Sequence, residues 1–528
     1  MLLRGAQIVM ECLLEQGVRD VFGYPGGAVL GIYEALHEYA GQIRHTLMTH
    51  EQHAAHAADG YARASGKVGV CLATSGPGAT NLLTGLSAAY MDSSPVVAIT
   101  GNVAKAQIGT DSFQEIDIYG VSMPVTKHNF IVGDIRELAD TIRQAFFIAA
   151  SGRPGPVLVD IPQDIAAAKA EFSPKAPKAP ARPLLADALD FAGAAFLIEE
   201  SQRPLLLLGG GAAHSGAEAA AKALAQKLGA PIIQTLMATG CCDGCPQFAG
   251  LAGVYGTPGA NALLEQCDLL IAVGTRFSDR TIPRPKALAR RAKVLHIDID
   301  PAEINKNLNA DLALMGDARE ILEHLLPLCP AKAPGLAVPP KAQPCGQSGQ
   351  RLTPEFLLKT LSALAGSEQI YTTEVGQHQI WAAKHLEISG HQRFITSGGL
   401  GAMGFGLGAA IGAARASGRR IVNISGDGSF LMNMAELSTA AYYNLPVIEV
   451  VLDNRSLGMV RQLQKNAHLH LSQADFDRGV DYPALAQALG IPGYAAKTRQ
   501  EAEQALAQAL ASGGPALIAC QIAKNQPA

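Results

Sequence analysis

Short, continuously apolar runs that stop at Gly or Asp and give way to Ala/Leu-rich helical sequence recur along this chain, and they leave few folds open. Near the start they are Val68–Thr74, Val96–Thr100 and Pro156–Ile161. In the middle they are Pro204–Leu208, Leu269–Val273 and Val294–Ile299. Towards the end they are Gln369–Thr373, Arg420–Ile424, Val447–Leu452 and Ala516–Ile522. A strand without polar alternation is buried on both faces, as a parallel strand covered by helices is. Two connectors interrupt the rhythm: Ser173–Pro183, where Pro alternates with Lys, Ala and Arg, and Cys329–Pro354, rich in Pro, Gly, Gln and Ser. The expected architecture is α/β, with three doubly wound parallel-sheet domains at 1–172, 184–330 and 352–528. Such sheets bind ligands at the carboxyl ends of their strands, so the Gly-rich loops after the runs are where chemistry is expected.

A length of 528 residues accommodates three domains of ordinary size. With 48% hydrophobic and 17% charged residues the chain is globular rather than disordered. A net charge of −4, without a polybasic run, argues against a nucleic-acid or membrane-surface partner. Nine scattered cysteines, and an N-terminus (Met1 to Gly17) that reads as an amphipathic helix rather than a secretory segment, lead us to expect a reducing cytoplasm. The uncharged stretch Ile395 to Ala414 is long enough to span a bilayer, but its glycines suit a buried loop and helix with close backbone approach.

In the third piece Gly426-Asp427-Gly428-Ser429 follows one apolar run and Asp453-Asn454 ends the next. An Asp and an Asn at neighbouring strand ends can face one crevice. That suits Mg²⁺, which takes few protein oxygens and completes its shell with water and phosphate. Taken alone, Gly-Asp-Gly-Ser is a tight turn. Its spacing to Asn454 resembles the thiamine-diphosphate enzymes, whose signature is Gly-Asp-Gly, a spacer of fixed length, then Asn. The resemblance implies that Asp427, the Asn454 side chain and the Ser456 carbonyl hold Mg²⁺ on the diphosphate. Asp453 stands where that family often has Asn.

His50-Glu51-Gln52 opens an Ala-rich helical stretch. A zinc reading fails because His-Glu-x-x-His would need His at the position of Ala54, and His53 and His56 read as ordinary polar positions. Alone, Glu51 is a carboxylate favoured at a helix N-terminus. Thiamine chemistry, however, needs a carboxyl group on the aminopyrimidine ring to drive the tautomer that takes the thiazolium C2 proton.

The surrounding motifs decide between these readings. Phe22 to Gly27 (FGYPGG), Thr74 to Asn81 (TSGPGATN), Gly109 to Glu115 (GTDSFQE) and Gly152 to Pro156 (GRPGP) are similar to the acetohydroxyacid (acetolactate) synthase catalytic subunit family. So are Gly376 to Trp381 (GQHQIW), Ser397 to Gly408 and Leu457 to Gln462 (LGMVRQ), so that the resemblance runs the length of the chain. It implies that Glu51 activates the cofactor. Gly376, Gln377, His378, Gly401, Gly428 and Ser429 would cradle it, and Met403 would be the apolar wedge that bends it. Tyr24, Gly27, Pro77, Asn81, Phe113 and Gln114 would line the reaction side. Neither outer piece carries a complete site, and in this family the Glu-bearing domain of one subunit faces the diphosphate domain of another. A homodimer or homotetramer with interfacial active sites is implied, and a separate regulatory small subunit stays open.

For the middle piece, Gly209-Gly210-Gly211 follows a strand, but Gly-x-Gly-x-x-Gly would need Gly at the position of His214, and there is no P-loop. Family members with a largely structural FAD show another set, here Arg153, Gly209, Gly210, Thr235, Leu236, Gly274, Arg276, Arg280, Asp298, Ile299 and Asp317. Tyr255 sits where His is usual, and Ser278 where Asp is usual. Cys242-Asp243-Gly244-Cys245 lacks two further zinc ligands and reads as a reduced loop.

The reaction implied is decarboxylation of pyruvate and condensation with a second 2-oxoacid. Pyruvate as acceptor gives 2-acetolactate, and 2-oxobutyrate gives 2-aceto-2-hydroxybutyrate, on the way to branched-chain amino acids. Met459 and Leu463 fall in the substrate pocket. Leu463 replaces the family's usual Trp, which removes contact area and predicts a weakened preference for the larger acceptor. Gln163 for Lys, His53 for Gly, and a Lys465 to Gly479 segment without the usual aromatic lid mark a divergent member. Three rivals stay open: another thiamine-diphosphate 2-oxoacid decarboxylase/ligase or cyclic-diketone hydrolase, a flavin-using pyruvate oxidase, and a non-catalytic homologue.

Overall fold

The structure, a computed structural model, describes all residues except 182–185, 243, 341–350, 389–392 and 477–478. The first sheet comprises β2 (Asp20–Gly23), β3 (Arg44–Leu47), β4 (Gly69–Ala73), β5 (Val96–Asn102), β6 (His128–Ile131) and β7 (Val157–Pro162). A two-stranded antiparallel ribbon joins β1 (Leu2–Arg4) to β8 (Lys169–Glu171). The middle sheet comprises β9 (Pro204–Leu208), β10 (Ile232–Gln234), β11 (Phe248–Leu251), β12 (Leu269–Val273), β13 (Lys293–Asp298) and β14 (Leu312–Met315). The third comprises β15 (Ile370–Thr373), β16 (Arg393–Thr396), β17 (Ile421–Gly426), β18 (Val447–Asp453), β19 (Gly493–Ala496) and β20 (Ala516–Gln521). This is the expected α/β class with three parallel-sheet domains.

The apolar runs form central strands. In β9, Leu206 and Leu208 enter one core and Leu205 and Leu207 another, so both faces are covered. The mixed-polarity strands β2, β3 and β6 carry no such run. The amphipathic N-terminal pattern is a helix only from Gly5 to Glu15, because residues 2–4 pair as a strand with residues 169–171.

Strand order carries more than strand content. The first sheet is ordered β3-β2-β4-β5-β7-β6 and the third β16-β15-β17-β18-β20-β19, one and the same winding. The middle sheet, β11-β10-β9-β12-β13-β14, is wound differently, in the order of a dinucleotide-binding sheet. The windings reverse direction between β2 and β4, between β9 and β12, and between β15 and β17. A crevice opens at the carboxyl ends there.

The chain forms two compact units. One contains the first and third sheets (Met1–Ala181, Gln350–Gln379, Ile395–Pro527), the other the middle sheet with Ile380–Phe394. Within the first unit, the Glu51–Ser65 helix lies directly on the Gly406–Ser417 helix. A Cβ on Gly412 would fall 1.8 Å from the Ala57 carbonyl oxygen, and one on Gly60 would fall 2.1 Å from that of Ala409. The glycines of the Ile395 to Ala414 stretch thus serve helix-to-helix approach. Among the described residues no helix is long and apolar enough to cross a membrane.

Candidate active site

At the reversal of the third sheet, the chain leaving β15 meets the chain leaving β17. His378 lies between two glycines: a Cβ on Gly376 would fall 2.7 Å from the ring, and one on Gly426 2.8 Å from it. Burial lowers the His378 pKa to about 3, so the ring is neutral. Its Nε2 is buried and finds no hydrogen-bond partner among the described residues. A ligand polar atom would satisfy it. Glu374, also buried, accepts from the Gly404 amide at 2.7 Å, the Leu407 amide at 3.2 Å and Asn433 Nδ2 at 2.5 Å. It thereby ties down the loop bearing Gly401 and Met403.

At the next pair of strand ends, the Ser456 amide donates to Asp427 Oδ2 at 3.1 Å and to Asn454 Oδ1 at 3.0 Å. The Gly428 amide donates to Asp427 Oδ1 at 2.9 Å. Burial, then the facing Asp453 carboxylate, raises the Asp427 pKa to about 7. Two carboxylates crowded in a half-dry corner create a strong preference for a cation. Among the described residues no group of three or more His, Cys, Asp or Glu side chains could hold a metal ion. The donors here are instead a carboxylate and an amide oxygen, which suits a hard, partly hydrated ion such as Mg²⁺. Asp427, Asp453, Arg455, Phe476 and Tyr482 border a cavity of about 370 Å³. Gly458 packs closely on Gln377, since a Cβ there would fall 2.0 Å from Gln377 Oε1. Gln377 Nε2 donates to Gln462 Oε1 at 2.8 Å and to the Gln526 carbonyl at 2.9 Å. Met459 and Leu463 lie on the Gly458–Asn466 helix, which has no buried residue.

In the first sheet, His50 caps the Glu51–Ser65 helix. Glu51 Oε2 accepts from Asn81 Nδ2 at 2.9 Å. A Cβ on Gly78 would fall 3.2 Å from Oε1, and one on Gly76, at φ 58°, would fall 2.6 Å from the Gln114 carbonyl oxygen. Glu51, Pro77, Asn81 and Gln114 therefore share one corner. Tyr24 and Phe113 are exposed, Phe113 to 87%. Nothing crowds Gly27.

The middle-sheet residues sit at strand ends: Gly209 after β9, Thr235 and Leu236 after β10, Gly274 and Arg276 after β12, Asp298 and Ile299 at β13, Asp317 after β14. Gly209 and Gly274 pack so closely that a Cβ on the first would fall 2.2 Å from the carbonyl oxygen of the second. Asp317 caps the Ala318–Leu328 helix, and Asp298 Oδ1 accepts from the Asp300 amide at 3.0 Å. Arg280 pairs with Asp279 at 3.6 Å on the surface. Arg153 belongs to the first unit, where its Nε donates to Ser93 Oγ at 2.9 Å. Cys242 is buried and Cys245 half-buried, and Asp243 lies outside the described residues. Sequence reasoning overlooked Glu374, Glu436 and Asp92. No local motif marks them, for each is defined by partners distant in the chain.

Three family models match in order: the thiamine pyrophosphate enzyme N-terminal TPP binding domain over residues 3–121, its central domain over 191–325, and its C-terminal TPP binding domain over 374–520. Fold, order of domains and matches define a thiamine-pyrophosphate-dependent enzyme. The acetolactate synthase large subunit of Parasynechococcus marenigrum is 43% identical, covering 99% of this chain and 88% of that protein. The isozyme 2 large subunit of Escherichia coli K12 is 44% identical, covering 98% and 95%. A probable acetolactate synthase large subunit of Methanocaldococcus jannaschii is 41% identical, covering 98% and 91%. The chain belongs to the acetolactate synthase large subunits.

Proposed function

We propose that this chain condenses pyruvate with a second 2-oxoacid, releasing carbon dioxide, and so makes 2-acetolactate, or 2-aceto-2-hydroxybutyrate from 2-oxobutyrate, for branched-chain amino-acid synthesis. When bound, thiamine diphosphate supplies the nucleophilic carbon and the electron sink for decarboxylation. Asp427, Asn454 and Ser456 would hold Mg²⁺ on its diphosphate, and His378, Gln377, Gly376, Gly428 and Ser429 would cradle the cofactor. Gly401 would help to cradle the cofactor, and Met403 would be the apolar wedge against it. Glu51, held by the hydrogen bond from Asn81, would be the carboxyl group that exchanges a proton with the aminopyrimidine ring. Tyr24, Gly27, Pro77, Phe113 and Gln114 wall the reaction side and exclude water, and Met459 and Leu463 meet the acceptor. The observation that carries this reading is the meeting of Asp427, Asn454 and Ser456 at two neighbouring strand ends.

The exposure of Phe113, Tyr24 and Met432 supports a second copy covering these faces, in a homodimer or homotetramer whose Glu51 serves a partner's cofactor. Middle-sheet topology, with Gly209 and Gly274 at the reversal, supports a structural FAD held by the strand-end set. A regulatory subunit would be a further partner, and buried free thiols such as Cys71 and Cys520 suit the cytoplasm. The test is reconstitution of metal- and cofactor-free protein with thiamine diphosphate and Mg²⁺, with products of pyruvate identified by mass spectrometry. Acetolactate and carbon dioxide in equal amounts are expected. Oxygen-dependent acetate or acetyl phosphate, or no product, would overturn the reading. Flavin released on heating tests the FAD assignment.

A further inference from the structure

Asp92 is the last residue of the Pro77–Asp92 helix and is buried. A carboxylate there opposes the helix dipole, so something else must hold it. Its Oδ1 accepts from the Gly399 amide at 2.7 Å, and its Oδ2 accepts from the Gly398 amide at 3.1 Å and from Arg63 Nη2 at 3.0 Å. Arg63, its side chain 8% exposed, also pairs with Asp59 at 2.8 Å and donates to the Thr396 carbonyl at 2.7 Å. Two buried acids thus face one arginine, and the two loop amides complete the balance. Gly399 is required by the contact, because a Cβ there would fall 2.8 Å from Asp92 Oδ1.

The loop held in this way runs from Ser397 to Gly404 and bears Gly401 and Met403. Its remaining anchors come from its own sheet: Gln379 Nε2 on the Ser397 carbonyl at 3.0 Å, and the Gly404 amide on Glu374 at 2.7 Å. The helix that ends at Asp92 also carries Asn81, the partner of Glu51. We propose that Asp92, supported by Arg63, is a positioning residue that sets the cofactor-binding loop of the third sheet from the first. This rests on the thiamine-diphosphate reading of the site. Asp92 touches neither cofactor nor substrate and acts through the two amides.

The test uses the full chain and its single tryptophan, Trp381, which lies on the same helix as His378. Cofactor is titrated at fixed Mg²⁺ and read both by tryptophan emission and by activity. Asp92→Asn, which places an amide against two amide donors, is expected to raise half-saturating thiamine diphosphate at least about tenfold. The KM for pyruvate at saturating cofactor should stay within about threefold. Gly399→Ala keeps both charges but crowds the contact itself, its Cβ falling 2.8 Å from Asp92 Oδ1 and 2.9 Å from the Met91 carbonyl oxygen; it should give the same shift, so it decides the matter if the Asn variant does not fold. A Gly399→Ala protein that loads cofactor like the wild type overturns the role of Asp92. A wild type that responds to no concentration of cofactor overturns the underlying reading instead.

Discussion

Asn81 and Glu51 are joined by a 2.9 Å hydrogen bond from Nδ2 to Oε2. The bond joins the first turn of one helix to the second turn of another and leaves Glu51 Oε1 beside Gly78. Glu51→Gln keeps the shape of the side chain and removes its proton chemistry. Its kcat should fall by about 10²–10⁴, with thiamine-diphosphate binding retained in calorimetry. Asn81→Ala should lose about tenfold in kcat, since only orientation is lost.

Asp427→Asn removes the carboxylate that the Ser456 and Gly428 amides orient. Half-saturating Mg²⁺ should rise by more than the about 10–100-fold typical of an outer-shell partner, and EDTA should inactivate the variant faster than wild type.

Gly412→Ala would press a Cβ to 1.8 Å from the Ala57 carbonyl oxygen. Overpacking of this kind destabilises by about 1–3 kcal/mol or more, read as a lower urea midpoint. Gly31→Ala, in a helix where nothing lies within 4 Å, is the control and should stabilise slightly.

Glu449 is a buried acid on β18, bonded to Asn423 Nδ2 at 2.7 Å and to Ser425 Oγ. Burial raises its pKa from 4.5 to about 8. The folded chain therefore retains a proton that the unfolded chain has released, and stability falls as pH rises from about 4.5 to about 8, then levels. Glu449→Gln should remove this slope. Urea unfolding should find the variant about equal to wild type at pH 5 and more stable by about 1–3 kcal/mol at pH 8.

Leu463 is 47% exposed on a helix with no buried face. In competition between acceptors, the wild type should show little preference for 2-oxobutyrate over pyruvate. Leu463→Trp, by adding a flat apolar wall, should raise that preference several-fold, on the order of 1 kcal/mol.

Local sequence was sufficient for the runs that became β4, β9, β12 and β18, because a strand buried on both faces must be apolar throughout. It was also sufficient to place Gly-Asp-Gly and the Asn that follows it at the ends of neighbouring strands, Asp427 opening a helix after β17 and Asn454 following β18. Tertiary structure alone decided that the first and third sheets share one winding, that residues 2–4 pair with residues 169–171, and that Ile380–Phe394 joins the middle unit. It likewise decided that Asp92 serves amides 306 and 307 positions away and that His53 bonds Glu436 across 383. The physical reason is range: periodicity and turn chemistry report on a few neighbours, whereas the burial of a charge depends on partners brought together only when the sheets have closed.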